Sequence, residues 1–576
     1  MILVNTYFYI SSILFLIGTN YLSKQICERL EITKELTFII SLTIILTLCL
    51  ISYSFNILNF KFIKYINILL YNFFVLLSII SILHKVKNFK LQNKIKDKFQ
   101  ITYFFIILNI LFVCLIPVND ADSVRYHFGQ FNPFDLDKSF NLHEKISFIG
   151  DSLNHIAMSN NNFNLTSLLS WMCLLKLINL IKREINLSNQ ITFYSIILGV
   201  PLYLNLMISQ KPYLWICFSL VYLIFLFHKN IQKLFKKNDL LIIFIFLFLS
   251  LISKPEFLFI NIIFIFCIFL FYSNNEKIYF EAFAYSLPIL FFFLIINYSI
   301  FGDPLKILLV QKNIAEENFI DFLSNANQSF SFSALINFIT NITIPLNFFS
   351  NFTTSFGIIF FISLFFLNLN KKNYPIIFLT IVLFLVNIFT LRIFIDENHS
   401  RNYMVIFLLI LLIALENKKF LSNLLIKILV IVQLIISQFS IIYFNYDHYI
   451  NKNYNKFAYQ YENEKFISKL VNSRKDTIVL SEIDGNFFKD YQYLNIDIYN
   501  FSPSFYFDKT SNFLQNEDKI NTIIIVLKKE IKIFDEYLFL EKHFIISGRN
   551  PFNKKKEKYF IYKINKHNFL NSINKT

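Results

Sequence analysis

Residues 101–131 read ITYFFIILNILFVCLIPVNDADSVRYHFGQF, an apolar run that passes directly into a charged segment. The run carries no charge up to residue 116, whereas two aspartates, an arginine, a tyrosine and a histidine lie within 120–127. An apolar stretch of this length suits the ~30 Å hydrocarbon layer of a membrane. The segment therefore predicts a membrane-spanning helix with a polar site at the point where the helix leaves the bilayer.

Apolar runs of this kind recur along the whole chain. The 576 residues are 55% hydrophobic and include 74 Phe but only 8 Gly, far below the ~7% Gly of soluble domains. We predict a polytopic α-helical membrane protein with about fourteen transmembrane helices in a bundle. The predicted spans are 4–22, 36–55, 65–84, 101–117, 163–181, 190–208, 212–228, 239–253, 257–272, 280–300, 354–369, 374–394, 402–416 and 421–443.

The formal net charge of +16 lies mainly in short loops between the apolar runs. Cytoplasmic loops of membrane proteins are enriched in Lys and Arg. Segment 85–98 has six lysines and one aspartate, and we place it on the cytoplasmic side. Alternation from that loop brings every strongly basic short loop to the same side. No nucleic-acid motif is present, so we expect no nucleic-acid partner.

The same alternation places two long loops, 118–162 and 302–353, on the outer face. The transmembrane domain then covers residues 1–444, and a polar tail of residues 445–576 follows it. The tail has short β-like runs, among them TIIIVL at 522–527, which predict a small α/β domain in the periplasm. The six cysteines fall in or beside apolar runs and none lies in the tail, so we expect neither disulfides nor a cysteine metal site.

Three cations stand at predicted outer helix ends, where the positive-inside bias disfavours them. They are Lys211, Lys254 and Arg401. An anionic ligand at the outer interface would favour such cations. The alternative for each is a side chain that reaches up to lipid headgroups.

One chemistry uses carboxylates and cations together at this depth. A sugar on a polyprenyl phosphate keeps its lipid tail in the bilayer and its phosphate at the interface. A carboxylate deprotonates the acceptor hydroxyl that attacks the anomeric carbon, and Lys or Arg stabilises the departing phosphate. The sugar passes through an oxocarbenium-like state. No nucleotide-binding loop is needed, and the sequence has none.

Three short motifs resemble those of a known superfamily. The sequence A-D-S-V-R-Y at 121–126 resembles the A-D-E-x-R-Y signature of GT-C membrane glycosyltransferases of the lipid A aminoarabinose-transferase type. The segment H-F-G-Q-F at 127–131 resembles the H-F-G segment of protein O-mannosyltransferases, offset by two residues. R-N-Y at 401–403 is similar to the late arginine segment that these enzymes use near the donor phosphate.

The resemblance implies roles for residues of the first outer loop. Asp122 matches the catalytic aspartate of the superfamily, and Ser123 replaces the neighbouring acid. Asp120 is the alternative base or a supporting acid. The two aspartates also leave open a divalent cation held by carboxylate oxygens. Sugar and acceptor identity do not follow from the resemblance.

Further residues of the same loop have two interpretations each. Arg125, Tyr126 and His127 contact the substrate or anchor the chain at the headgroup layer. Residues 143–155 form either a His-Glu-Asp-His metal site or, as we expect, an amphipathic helix that lies on the bilayer over the site.

Two rival functions share parts of this pattern. An O-antigen ligase or polymerase would use the same polyprenyl donor without the 121–126 motif. A flippase or transporter for lipid-linked sugars would need polar residues at mid-membrane and helices broken by Gly or Pro. Because the apolar runs are nearly free of both, we favour a glycosyltransferase of the bacterial inner membrane that uses a lipid, glycan or protein acceptor.

Overall fold

The computed structural model of the 576-residue chain is predominantly helical, with one small sheet. It describes residues 2–57, 62–86, 106–111, 114, 149–160, 162, 164–185, 189–208, 211–229, 235–254, 256–273, 275–301, 304, 332–343, 355–390, 401–444, 469–470, 476–481, 492–495, 521–527, 539–549 and 556–567.

The α-helices follow the apolar runs, because a backbone in apolar surroundings satisfies its polar groups within a helix. They are α1 (Ile2–Arg29), α2 (Thr37–Ile57), α3 (Ile63–Val86), α4 (Ser152–Ser159), α5 (Leu165–Glu184), α6 (Gln190–Leu198), α7 (Pro201–Ile208), α8 (Tyr213–Lys229), α9 (Lys237–Ser253), α10 (Glu256–Cys267), α11 (Glu276–Phe301), α12 (Phe332–Thr343), α13 (Ile358–Phe365), α14 (Tyr374–Leu385), α15 (Met404–Leu415), α16 (Lys418–Ser422) and α17 (Leu424–Phe444).

Helices α8 and α15 form the centre of the helical unit. Residues 213–228 and 404–415 are buried without interruption. By contrast, only 22% of the apolar window in Glu276–Ser299 and 28% of that in Ile63–His84 is buried inside the protein. Large apolar side chains exposed along one helix, such as Leu69, Leu76 and Leu83 of α3, are unfavourable in water and favourable in lipid. These outer helices therefore present lipid-compatible faces around a buried centre.

Five described helices are long and apolar enough to cross a membrane, and a sixth span results if one bent pair is counted as one. Four shorter apolar helices accompany them, namely Tyr213–Lys229, Phe257–Tyr272, Arg401–Leu415 and Leu424–Ser440. This agrees with a helical membrane protein. The predicted count of fourteen spans is not confirmed, and most of the predicted span 101–117 lies outside the described residues.

The bent pair is a span that the sequence analysis did not recognise as broken. Helices α6 and α7 meet at 53° across Gly199 and Val200, with Pro201 as the first residue of α7. Gln433 Nε2 donates to the carbonyl oxygens of Gly199 (3.0 Å) and Phe356 (3.1 Å). The bond to Gly199 provides a partner that the helix break removes from the backbone, and the Ser437 hydroxyl lies 2.7 Å from the same oxygen. The expectation of nearly uninterrupted apolar helices is therefore wrong for this span.

The described residues of several basic loops lie at one end of the helical unit. A cavity there is lined by residues from the ends of α5, α8 and α15 and from the turns before α14 and α16. At the same end, Thr33 donates its backbone N–H and its hydroxyl to the Asp239 carboxylate, each at 2.8 Å. We name this the basic end; its members include 182–185, 229, 235–239, 370–373 and 416–419.

The segment that was predicted to form a helix on the bilayer surface packs inside the helical unit in its described part, residues 149–157. In α4 and the single turn before it, nearly every described side chain from Ile149 to Ala157 is buried. The segment packs against α2 and α3. It is therefore part of the helical core, and the prediction of an interfacial helix is wrong for residues 149–157. His143 and Glu144 lie outside the described residues.

The chain divides into two compact units; the second includes Phe444–Thr576 and contains a five-stranded sheet. Its strands are β1 (Thr477–Ser481), β2 (Gln492–Asn495), β3 (Thr522–Leu527), β4 (Phe539–Arg549) and β5 (Lys556–Asn565), in the order β2-β1-β3-β5-β4. Strands β1, β2 and β3 are parallel, whereas β5 is antiparallel to both β3 and β4. The run predicted at 522–527 coincides with β3.

Candidate functional site

Five of the eight predicted site residues lie outside the described residues. These are Asp120, Asp122, Arg125, Tyr126 and His127. Their predicted roles stay predictions. The three predicted cations Lys211, Lys254 and Arg401 are described.

Two of these cations are buried at helix ends. Lys211 lies two residues before α8, and Lys254 directly follows α9. Each is only 6% exposed, although lysine is among the residues least often buried. A buried ammonium needs compensating charge or hydrogen bonds, because transfer out of water costs several kcal/mol. Both lysines make interactions within the protein.

Tyr213 contacts both Lys254 and the turn that carries the third cation, Arg401. The Lys254 ammonium lies 5.5 Å from the centroid of the Tyr213 ring, within the range of a cation–π interaction. The Tyr213 hydroxyl donates to Oδ1 of Asn402 at 2.8 Å. Asn402 is the neighbour of Arg401 in the chain, so the turn before α15 is fixed beside the start of α8.

The turn at 401–403 holds two buried donors. Nε of Arg401 and the hydroxyl of Tyr403 are both buried and have no hydrogen-bond partner among the described residues. The backbone of the turn is fixed, since Nδ2 of Asn387 donates to the Asn402 carbonyl oxygen at 3.2 Å. Unpaired buried donors are costly, and a ligand with oxygen acceptors would satisfy them.

A buried carboxylate that was not among the predicted site residues lies on a chain segment next to those that carry the lysines. Asp151 is 1% exposed. Its neighbour Gly150 fits tightly, because a Cβ there would lie 3.0 Å from Cβ of Pro212 and 3.2 Å from the Ser253 carbonyl oxygen. Residues 149–151 are thus held between the chain segments that carry Lys211 and Lys254. The signal for this residue in the sequence was an acid, Asp151, within the predicted outer loop 118–162.

The structure therefore brings together four chain segments that are distant in sequence. We name their common location the site end, formed by residues 149–151, 211–213, 253–254 and 401–403. Helix α8 runs from the site end, at Tyr213, to the basic end, at Lys229. The site end has the chemistry of an anion site at the rim of an apolar bundle, with cationic groups, unpaired donors and one carboxylate.

The structure does not test the divalent cation that the sequence leaves open. Among the described residues, no group of three or more His, Cys, Asp or Glu side chains is placed to hold a metal ion. The aspartates for which a cation was considered lie outside that part of the chain. All six cysteines are buried and unpaired by disulfides.

No protein-family model matches the sequence, and no curated protein matches it either.

Proposed function

We propose that the protein is an integral-membrane glycosyltransferase of GT-C type that moves a sugar from a polyprenyl phosphate to an acceptor. The observation that carries the proposal is the convergence of Lys211, Lys254 and the Arg401 turn around Tyr213. Cations buried at the end of an apolar bundle match a ligand with a lipid tail and an anionic head. We place the reaction on the outer face of the bacterial inner membrane, as the positive-inside bias of the basic loops favours.

In the proposed reaction the acceptor hydroxyl attacks the anomeric carbon of the sugar. The bond between that carbon and the phosphate oxygen breaks, and the lipid phosphate leaves with the electron pair. Asp122 takes the hydroxyl proton, with Asp120 as the alternative base. Lys211, Lys254 and Arg401 stabilise the negative charge that gathers on the phosphate. Asp151 balances the buried lysines and holds their positions.

Sugar release from a labelled polyprenyl-phosphate donor tests the proposal directly. We expect the purified wild type to release or transfer the sugar and Asp122→Asn to lose about 10²-fold or more in rate, since a general base contributes that much. Lys254→Gln should also lose roughly 10²-fold through weaker stabilisation of the phosphate. Lys64→Gln, which removes an exposed lysine at the start of α3, is the matched control and should keep the wild-type rate.

The results have distinct meanings. Equal turnover by wild type and Asp122→Asn would remove Asp122 from the mechanism, and Asp120→Asn would then be measured. No release from any polyprenyl-linked sugar by the wild type would contradict the proposed function itself.

A lipid-linked sugar flippase is a second candidate, and the broken span favours it. The break at Gly199 lies inside the bundle, and Gln433 is buried beside it with its Oε1 atom unpaired among the described residues. Broken helices with polar groups inside the membrane are typical of transporters. Transfer of the labelled donor between the leaflets of reconstituted vesicles without sugar release would support the flippase. Release without transfer would support the glycosyltransferase.

A further inference from the structure

A second charged region lies at the basic end, on the far side of the helical unit from the proposed site. It surrounds a cavity of about 250 Å³. Three lysines line this cavity, namely Lys229, Lys372 and Lys418, together with Glu184 and Glu416. The lining residues come from four separate chain segments, so the charges are brought together by the fold.

The two glutamates are already neutralised by neighbours. Glu416 forms a salt bridge with Lys229, and Nε2 of His228 lies 3.6 Å from the same carboxylate. Burial alone would raise the pKa of Glu416, but hydrogen bonds from His228 and Lys229 and the Lys229 charge hold the pKa at about 2. Glu184 accepts from Nε of Arg183 at 2.6 Å.

Two positive charges of the cavity are left without a counter-ion. Lys372 and Lys418 have no ion pair or hydrogen bond among the described residues, and both are exposed. Lys372 lies in the turn before α14, and Lys418 begins α16. They lie in two separate turns that line one cavity, an arrangement that an anionic group in the cavity would stabilise.

The position and the lining of the cavity favour the headgroup of a phospholipid as the anion. The walls also include the apolar side chains of Ile185, Leu415 and Leu421. Helix α15 ends at Leu415 after an entirely buried apolar run, so the cavity lies at the level where the membrane-spanning helices end. At this level a ligand meets lysines on its polar side and apolar groups on the other, as a phospholipid does. Basic pockets between membrane helices bind anionic headgroups.

We propose that the cavity at the basic end binds the phosphate group of an anionic phospholipid through Lys372 and Lys418. The lipid would lie in the leaflet next to the basic loops, with its glycerol backbone against Leu415 and Leu421. This site is independent of the glycosyl-transfer site, because it shares none of its residues. It needs no acid of the first outer loop.

Retention of lipid by the purified full-length protein tests the site. The protein is reconstituted in nanodiscs of phosphatidylcholine with a minor share of phosphatidylglycerol, and the retained lipids are identified by native mass spectrometry. We expect the wild type to retain phosphatidylglycerol preferentially. The double variant Lys372→Gln with Lys418→Gln should lose this preference roughly tenfold or more, at about 1 kcal/mol for each lysine near the anionic group.

A control variant separates a built site from general charge attraction. Lys371→Gln with Lys419→Gln removes two exposed lysines from the same two turns, and neither residue lines the cavity. Both double variants lower the net charge equally. An equal loss of phosphatidylglycerol in both would overturn the proposal, as would no loss in either. Lys372→Arg with Lys418→Arg should restore the preference and shows that the protein remains folded.

A second measurement distinguishes the source of the phosphate group. Inorganic phosphate is added to the wild type at increasing concentration during lipid retention. We expect phosphatidylglycerol to remain bound, because its contacts with the apolar wall are absent from the free ion. Displacement at low concentrations of inorganic phosphate would assign the cavity to a soluble phosphate and overturn the lipid assignment.

Discussion

At the scale of single residues, the chain concentrates its buried charge at the ends of buried apolar helices. Asp151, Lys211 and Lys254 are all at most 6% exposed, and they lie on neighbouring segments at the site end. A buried ion pair contributes little net stability, but removal of one partner leaves an uncompensated charge. We therefore expect the free energy of unfolding to fall strongly when one of these residues is replaced alone, and less when two interacting residues are replaced together.

Substitution of Asp151 tests this coupling. We expect Asp151→Asn to lower the free energy of unfolding by about 1–3 kcal/mol, since the amide cannot balance the nearby ammonium groups. Lys254→Met in the Asp151→Asn background should cost less than it does in the wild type. Thermal unfolding in detergent of the wild type, the two single variants and the double variant completes this double-mutant cycle. Strictly additive effects would mean that the acid and Lys254 do not interact, and Ser159→Ala, which removes a local hydrogen bond, is the control.

Glu416 makes stability depend on pH in a defined range. Its pKa is lowered from the usual 4.5 to about 2, so its contribution is complete above about pH 4.5 and is lost as the pH falls towards 2. Across that range we expect the free energy of unfolding of the wild type to fall by about 1–2 kcal/mol more than that of Glu416→Gln, after allowance for partial solvent screening. Thermal unfolding at several pH values measures the difference.

A control at the same end checks the cause of that pH dependence. Glu184 pairs with Arg183, whose side chain is 52% exposed, and solvent-exposed pairs contribute little. Glu184→Gln should leave the pH profile close to that of the wild type. If Glu416→Gln also leaves it unchanged, the salt bridge with Lys229 does not stabilise the folded state.

At the scale of elements, two polar side chains of α17 meet the broken span, since Gln433 Nε2 and the Ser437 hydroxyl both lie within hydrogen-bond distance of the Gly199 carbonyl oxygen. Gln433 of α17 donates to two carbonyl oxygens that belong to other segments, and a Cβ on Gly357 would lie 2.4 Å from its amide atoms. Gly357 also has φ of +78°, a backbone conformation that glycine adopts without strain. The glycine therefore gives the amide the space that it needs beside the break at Gly199.

Replacement of this glutamine should destabilise the helix break. We expect Gln433→Met to lower the free energy of unfolding by about 1–3 kcal/mol, because the Phe356 carbonyl oxygen loses this donor and the Gly199 carbonyl oxygen keeps only the Ser437 hydroxyl. Ser440→Ala on the same helix is the control, since its hydroxyl donates only to Ile436 of its own turn. Chemical denaturation in detergent compares the two variants. Equal stability of Gln433→Met and wild type would show that the break does not need the amide.

At the scale of the whole molecule, the ends of the helical unit differ in charge and in burial. The site end holds cations buried among apolar helices, and the basic end holds exposed lysines around a cavity. Central helices α8 and α15 both run from the site end to the basic end. The two candidate sites therefore lie on opposite sides of any membrane that the helices cross.

Cysteine labelling tests this arrangement in cells. All six native cysteines are buried, so background labelling should be low. Lys64→Cys stands at the beginning of α3 and Lys419→Cys stands at the basic end, and both positions are exposed. We expect an impermeant maleimide added from outside to label position 64 and not position 419. Labelling of 419 alone would reverse the orientation and place the proposed reaction in the cytoplasm.

Sequence and structure contribute differently to this interpretation. Apolar runs predict the helices well, because the cost of unpaired backbone groups in lipid depends only on local composition. The β-branched runs after residue 476 predict the strands for a similar local reason. The break at Gly199 was not predicted, although Gly199 and Pro201 mark it in the sequence; its partner Gln433 is over two hundred residues away and no local pattern indicates that contact.

The sequence by itself determined that the chain is helical and apolar, that its basic loops share one side and that the tail forms a sheet, because each follows from the hydrophobicity or charge of neighbouring residues. Only the tertiary structure decided which polar groups meet. It packed the segment of Asp151 between the segments that carry the two buried lysines and set Lys372 and Lys418 around one cavity. Contacts between distant segments depend on how side chains fill the space between helices, and that packing is not written in any local pattern.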